Sequence, residues 1–140
     1  MTTNLVKTID RIPARTAATT LLVLTAGVVV FHLLIVTQVL PYSIVWGGRL
    51  TSYSEMIRFE SVSIALNFLI AALAAMAGGF IPNILPTNIL KLLLWALFVI
   101  LVFNTIANPF SATLFEAVVF TPVTFVMAVC FYRLILSRRP

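Results

Sequence analysis

Four nearly unbroken apolar runs divide the chain, each close to the ~20 residues with which an α-helix crosses the hydrocarbon core of a bilayer. Lipid offers no partner to a backbone N–H or C=O, so such runs are restricted to helices whose hydrogen bonds close within the segment. The runs cover residues 17–40, 55–78, 88–107 and 113–136, after an interfacial segment 1–16. The connections after the second and third runs are short, which forces the spans they join to run antiparallel. The predicted fold is a single all-α domain over residues 1–140. It is an integral membrane four-helix bundle, up-down-up-down, with a longer ordered first extracytoplasmic linker.

Charge supports this reading and removes others. Only 9% of the 140 residues are charged, against about a quarter in a soluble domain. The net charge of +5 does not make a nucleic-acid surface. Lys7, Arg11, Arg15, Lys91, Arg133, Arg138 and Arg139 flank the span ends, where cytoplasmic loops of membrane proteins collect basic residues. Both termini are therefore expected in the cytoplasm, with the chain in a plasma (inner) membrane. The lipid bilayer is the first partner, with a weak attraction to anionic headgroups. The first apolar run is too long for a signal peptide and lacks a small-x-small cleavage site, so it reads as a retained span. Leu5, Val6 and Ile9 recur at helical spacing, opposed by Lys7 and Asp10, as in a short helix lying on the membrane until Pro13. The single cysteine, Cys130, excludes an intrachain disulfide and CxxC chemistry and reads as a small buried hydrophobe.

The long segment that is neither hydrocarbon nor tail is Gln38 to Glu60. Pro41 is expected to end the first span, and Tyr42, Trp46 and Tyr53 are spaced like an interfacial aromatic belt. Gly47-Gly48 permits a tight turn carrying Arg49. Ser52-Tyr-Ser-Glu55 matches the capping box, in which a side-chain oxygen accepts from a free N–H and the glutamate reaches back. Thr113-Leu-Phe-Glu116 matches it again, and Thr87 after Pro86 is expected to cap the third span. Pro122 should kink the fourth span, with Thr121 and Thr124 satisfying the freed carbonyls.

Under this topology the interior polar groups gather in the extracytoplasmic half, beneath the linker. The candidate ligand-binding residues are His32, Trp46, Arg49, Glu60, Ser63, Asn67, Asn104 and Glu116. An ionisable group within a membrane generally pairs or lines a cavity. The expected pairs are Glu60 with Arg49 or Arg58, and His32 with Glu60 or Glu116. His32 reads as an interhelical hydrogen-bonder or as a proton-transfer or ligand contact, since no HxxxH or HxxE spacing supports a metal. Glu116 reads foremost as a cap. Ser63, Asn67, Ala71 and Ala74 form a polar-then-small face suited to close helix approach.

No glycine-rich phosphate loop, HExxH or nucleophile elbow is present. Small four-span exporters carry a carboxylate in the first span, where this chain has His32. Four-span thiol–quinone reductases need several cysteines. Three functional readings remain. One is a cavity protein that binds a small amphipathic ligand or transports, as a homo-oligomer or with a membrane-complex partner. Another is a membrane enzyme or redox subunit acting on a lipid or quinone, with His32 and Glu60 as acid and base. The last is an accessory subunit whose polar groups only join helices. No cofactor is specified by any of these residues.

Overall fold

A computed structural model of the chain describes residues 2–137, without the side chains of Thr2, Thr3 and Leu5. Arg138 and Arg139 of the basic tail, like the Leu5 side chain, lie outside the described residues. The helices are α1 (Thr2–Asp10), α2 (Ala14–Val36), α3 (Tyr53–Ala77), α4 (Thr87–Ala107) and α5 (Thr121–Leu136). Four helical stretches are long and apolar enough to cross a membrane: Ala14–Val36, Tyr53–Ala77, Thr87–Phe110 and Glu116–Leu136. They pack as an antiparallel bundle, with α2 along α3 and α5, and α4 along α5.

Local chemistry explains the helix ends. Ser52 Oγ accepts from the Glu55 N–H at 3.3 Å, and Glu55 reaches back to the N–H and hydroxyl of Thr51, both at 2.9 Å. The first box therefore forms, one residue upstream of the predicted return contact. The second does not form as a cap: Glu116 has tertiary partners, described below. Thr87 is not a cap either, because Pro86 takes the cap position and leaves Thr87 as the first helical residue.

The first span stops at Val36, before the predicted Leu40. Thr37 Oγ1 donates to the Leu33 carbonyl at 2.8 Å, and Gln38 adopts a left-handed φ of 58°. The chain then doubles back, with Gln38 N–H on Ile35 O and Leu40 N–H on Leu34 O. A local turn thus ends the helix where hydropathy alone does not.

Pro122 lacks the N–H that the α-helical ladder needs, and the backbone widens just before it into a π-turn over Glu116–Phe120. Thr124 Oγ1 donates to the Phe120 and Thr121 carbonyls at 2.8 and 3.2 Å, past the carbonyl four residues before Pro122 that loses its donor, so the predicted compensation is not made there. The Thr121 hydroxyl, predicted to share that work, is buried without a hydrogen-bond partner.

The core fills the end of the bundle that holds both termini. Ala17, Ala18 and Leu21 of α2 meet Leu73 and Ala74 of α3, Leu90 and Leu94 of α4, and Phe131 and Leu134 of α5. Arg133 closes this end, donating through Nε to the Ile12 carbonyl and lying 3.5 Å from Asp10 through Nη1. A second cluster, Ile35, Val45, Leu50 and Met56, anchors the linker at the opposite end. The small-residue face of α3 is used within the chain. Ala74 is fully buried, and a Cβ on Gly78 would stand 2.3 Å from that of Ala18.

That approach has a measurable consequence. Gly78→Ala should destabilise by about 1–3 kcal/mol through overpacking, lowering the thermal midpoint in detergent. Gly27→Ala, where an added Cβ meets nothing within 4 Å, should leave the midpoint unchanged or raise it. Equal midpoints for the two variants would contradict the α2–α3 approach.

Candidate functional site

Two carboxylates organise the linker end. Glu60, two turns into α3, is completely buried. Its Oε2 lies 2.6 Å from His32 Nδ1 on α2, and its Oε1 accepts from the Trp46 indole N–H at 3.0 Å. Both oxygens are engaged, as a charge held away from water requires. Of the predicted pairings, His32 with Glu60 forms. Arg58 instead donates to the Ser54 carbonyl at 3.3 Å, and Arg49 is exposed.

Glu116 opens the π-turn before α5. It accepts from the backbone N–H groups of Trp46 at 2.6 Å and Gly47 at 2.8 Å, from Thr113 Oγ1 at 3.0 Å and from Ser111 Oγ. Two successive N–H groups aimed at one carboxylate form an anion nest. The backbone has to turn left-handed to build it: φ is 54° at Trp46, 66° at Gly47 and 68° at Gly48. Glycine reaches such angles without strain, whereas a tryptophan there is an outlier that its surroundings must hold. Trp46 is held from both sides, amide to Glu116 and indole to Glu60, and its ring lies 4.8 Å from that of Phe59. It cross-links the helices that carry Glu60 and Glu116 while remaining 39% exposed.

Beneath this roof lies a cleft of about 240 Å³. His32, Trp46, Ser63, Asn67, Asn104 and Glu116 line it, six of the eight residues predicted to contact a ligand. Glu60 does not, because it stands behind His32 and Trp46. Arg49 does not either. The lining also takes in Asn108 and Thr124, and an apolar wall that includes Phe31, Leu101, Phe120 and Met127. Phe31 stacks on Phe115 with centroids 5.2 Å apart and meets Phe120 edge-on at 5.2 Å. The aromatic wall was not foreseen, since the spacing of Phe115 and Phe120 is uninformative without the π-turn that rotates them.

The cleft's polar groups differ in how far they are satisfied. Asn67 Nδ2 donates to the Ser63 carbonyl at 2.9 Å, which leaves its carbonyl oxygen for other partners. Thr105 Oγ1 donates to Thr124 Oγ1 at 3.0 Å. With His32 Nδ1 given to Glu60, Nε2 is the ring nitrogen left over. Thr25, two turns along the same face, is buried with its hydroxyl unpaired. Among the described residues, no three of His, Cys, Asp and Glu converge as a metal site would require.

The chain matches no protein-family model, no curated protein and no solved structure. The chemistry of the site rests on its own geometry.

If Glu116 holds the roof, Glu116→Ala should release it. Charge-assisted hydrogen bonds contribute about 1.5–3 kcal/mol each, so amide exchange at Trp46 and Gly47 should accelerate at least tenfold. Exchange in the core of α5 should stay unchanged. Unaltered protection at the two linker amides would contradict the nest.

Proposed function

We propose that this small polytopic membrane protein binds, or passes, a small amphipathic molecule in the linker-end half of its bundle. The basic residues Lys7, Arg11, Arg15, Lys91 and Arg133 lie at the opposite end, which supports a cleft facing away from the cytoplasm of a plasma (inner) membrane. The observation that carries the reading is the His32–Glu60 pair standing in the wall of a cleft. Groups that only join helices satisfy one another and leave no space. Here the pair is satisfied on its Glu60 side, yet His32 and Asn67 border open volume with a ring nitrogen and an amide oxygen unspent.

Burial favours the arrangements in which the pair carries no net charge. One proton then lies between Nδ1 and Oε2, and the imidazole's second proton sits on Nε2, whichever partner formally holds the shared one. His32 thereby becomes a hydrogen-bond donor to the cleft, stiffened by Glu60 in the way an outer-shell carboxylate orients a histidine. The same geometry favours a second reading, a membrane enzyme on a lipid or quinone with His32 as the proton-transfer group and Glu60 as its positioning residue. That reading requires a further reactive group or cofactor within reach of the cleft.

Glu60→Gln separates these roles from a structural one. The amide keeps the volume and one acceptor for the Trp46 indole, while the charge-assisted hydrogen bond, about twice as strong as a neutral one, is lost. Mass spectrometry of organic extracts from protein purified in mild detergent should find a co-purifying amphiphile in the wild type and at least tenfold less in the variant. Expression should be retained. Identical extracts from both would contradict the proposal, and a variant that fails to fold would favour the accessory-subunit reading.

A further inference from the structure

The cleft is open on one side. Around the bundle the helices follow the order α3, α2, α5, α4, and the closing seam between α4 and α3 is only sparsely packed. Both seam helices line the cleft, Ser63 and Asn67 from α3 and Ile100 and Asn104 from α4. Asn104 is exposed and Ile100 is 41% exposed, although both border the cleft. A residue that faces the cleft and the exterior at once marks its mouth. Towards the termini, buried Ile70 of α3 and Leu97 of α4 floor the cleft.

The mouth is itself amphipathic. Asn104 and Ile100 lie one turn apart on the same face of α4. At 1.5 Å per residue they stand about 4.5 Å and about 10.5 Å from the helix end at Ala107. The mouth is therefore polar at headgroup depth and apolar beneath, the sense in which an amphiphile stands in that leaflet. The Asn104 side chain has no hydrogen bond to another described residue, so its amide is available to a passing head.

Charge and size narrow the occupant. Glu60 and Glu116 are fully engaged with protein donors, and no arginine or lysine lines the cleft. An anionic head would lose its hydration beside the Glu116 carboxylate without gaining a counter-charge, and a cationic head would find the Glu116 oxygens already taken by four protein donors. What remains on offer is neutral or shared: the His32 ring, the Ser63 hydroxyl and the Asn67 and Asn104 amides. The volume of about 240 Å³ corresponds to about eight groups of water size, at ~30 Å³ each. That accommodates a head, while a tail of bilayer length must remain outside.

We infer that the cleft is filled sideways from the bilayer, between α3 and α4, by a neutral-headed lipid. Its hydroxyl, ester or amide head reaches His32 and Asn67, and its hydrocarbon tail stays in the leaflet past Ile100. This rests on the binding function proposed above and adds the route and the ligand class.

The test uses the full-length chain in vesicles and three diazirine probes. One is a diacylglycerol labelled in an acyl chain next to the ester, one a phosphatidylglycerol labelled at the same position, and one a tail-less glycerol ether that stays in water. The expected result is diacylglycerol labelling of residues 63–70 and 97–104, with phosphatidylglycerol at least fivefold weaker. Ile100→Trp, which narrows the mouth, should reduce the diacylglycerol signal at least fivefold, and Ser63→Phe should do so from the other side should Ile100→Trp fail to fold. Equal labelling by phosphatidylglycerol would overturn the neutral head. Diacylglycerol labelling indifferent to both mouth variants, or labelling by the water-soluble probe alone, would overturn the lateral route and leave binding standing. No labelling of the lining by any probe would overturn the binding function itself.

Discussion

A carboxylate inside a membrane protein must find protein partners, and in this bundle both interior carboxylates find them on the same tryptophan. Glu60 takes the indole of Trp46 and the imidazole of His32, and Glu116 takes the amides of Trp46 and Gly47. Each interaction joins segments distant in the chain, so the linker end is held by directional bonds. The end that holds the termini is held by packing of Ala18, Leu73, Leu94 and Phe131. Lipid tails are as apolar as those side chains, so shape fit and hydrogen bonds, not a hydrophobic gradient, supply the specificity.

The division between the two ends explains where open volume can persist. Apolar side chains on four converging helices close up until few voids remain. Directional bonds hold groups at set distances and tolerate a gap beside them. The left-handed run at Trp46, Gly47 and Gly48 keeps the linker above that gap. A seam with little packing between α3 and α4 leaves the gap accessible from the side. Roof and cleft thus follow from one requirement, hydrogen-bond partners for the buried Glu60 and the half-buried Glu116.

Much of the fold is legible in the sequence, because span length and the absence of charge are read directly from hydropathy. The four runs emerge that way, the Ser52 to Glu55 motif gives the first cap, and the pair His32–Glu60 is one of the two offered for the histidine. What escapes is whatever depends on a partner far along the chain or on a local turn without a hydropathy signature. Thr113-Leu-Phe-Glu116 has the residues of a cap, yet the backbone of Trp46 and Gly47, some 70 positions earlier, takes that carboxylate. Val36 ends α2 although Val39 and Leu40 continue the apolar run, because Thr37 and Gln38 turn the backbone. Arg49 and Arg58 carry the right charge for Glu60, but His32 and Trp46 fill its coordination first.

The central claim is that His32 and Glu60 form one energetic unit in the interior. A double-mutant cycle on unfolding free energy in bicelles, using His32→Met, Glu60→Met and the double variant, tests it directly. Removing one partner of a buried pair costs about 3–5 kcal/mol, and the double variant should cost clearly less than the sum. The coupling should exceed about 1.5 kcal/mol, above the ~0.6 kcal/mol average of interhelical hydrogen bonds in membranes. Additivity within about 0.5 kcal/mol would show that the two side chains do not depend on each other, and the account of the site would fail with them.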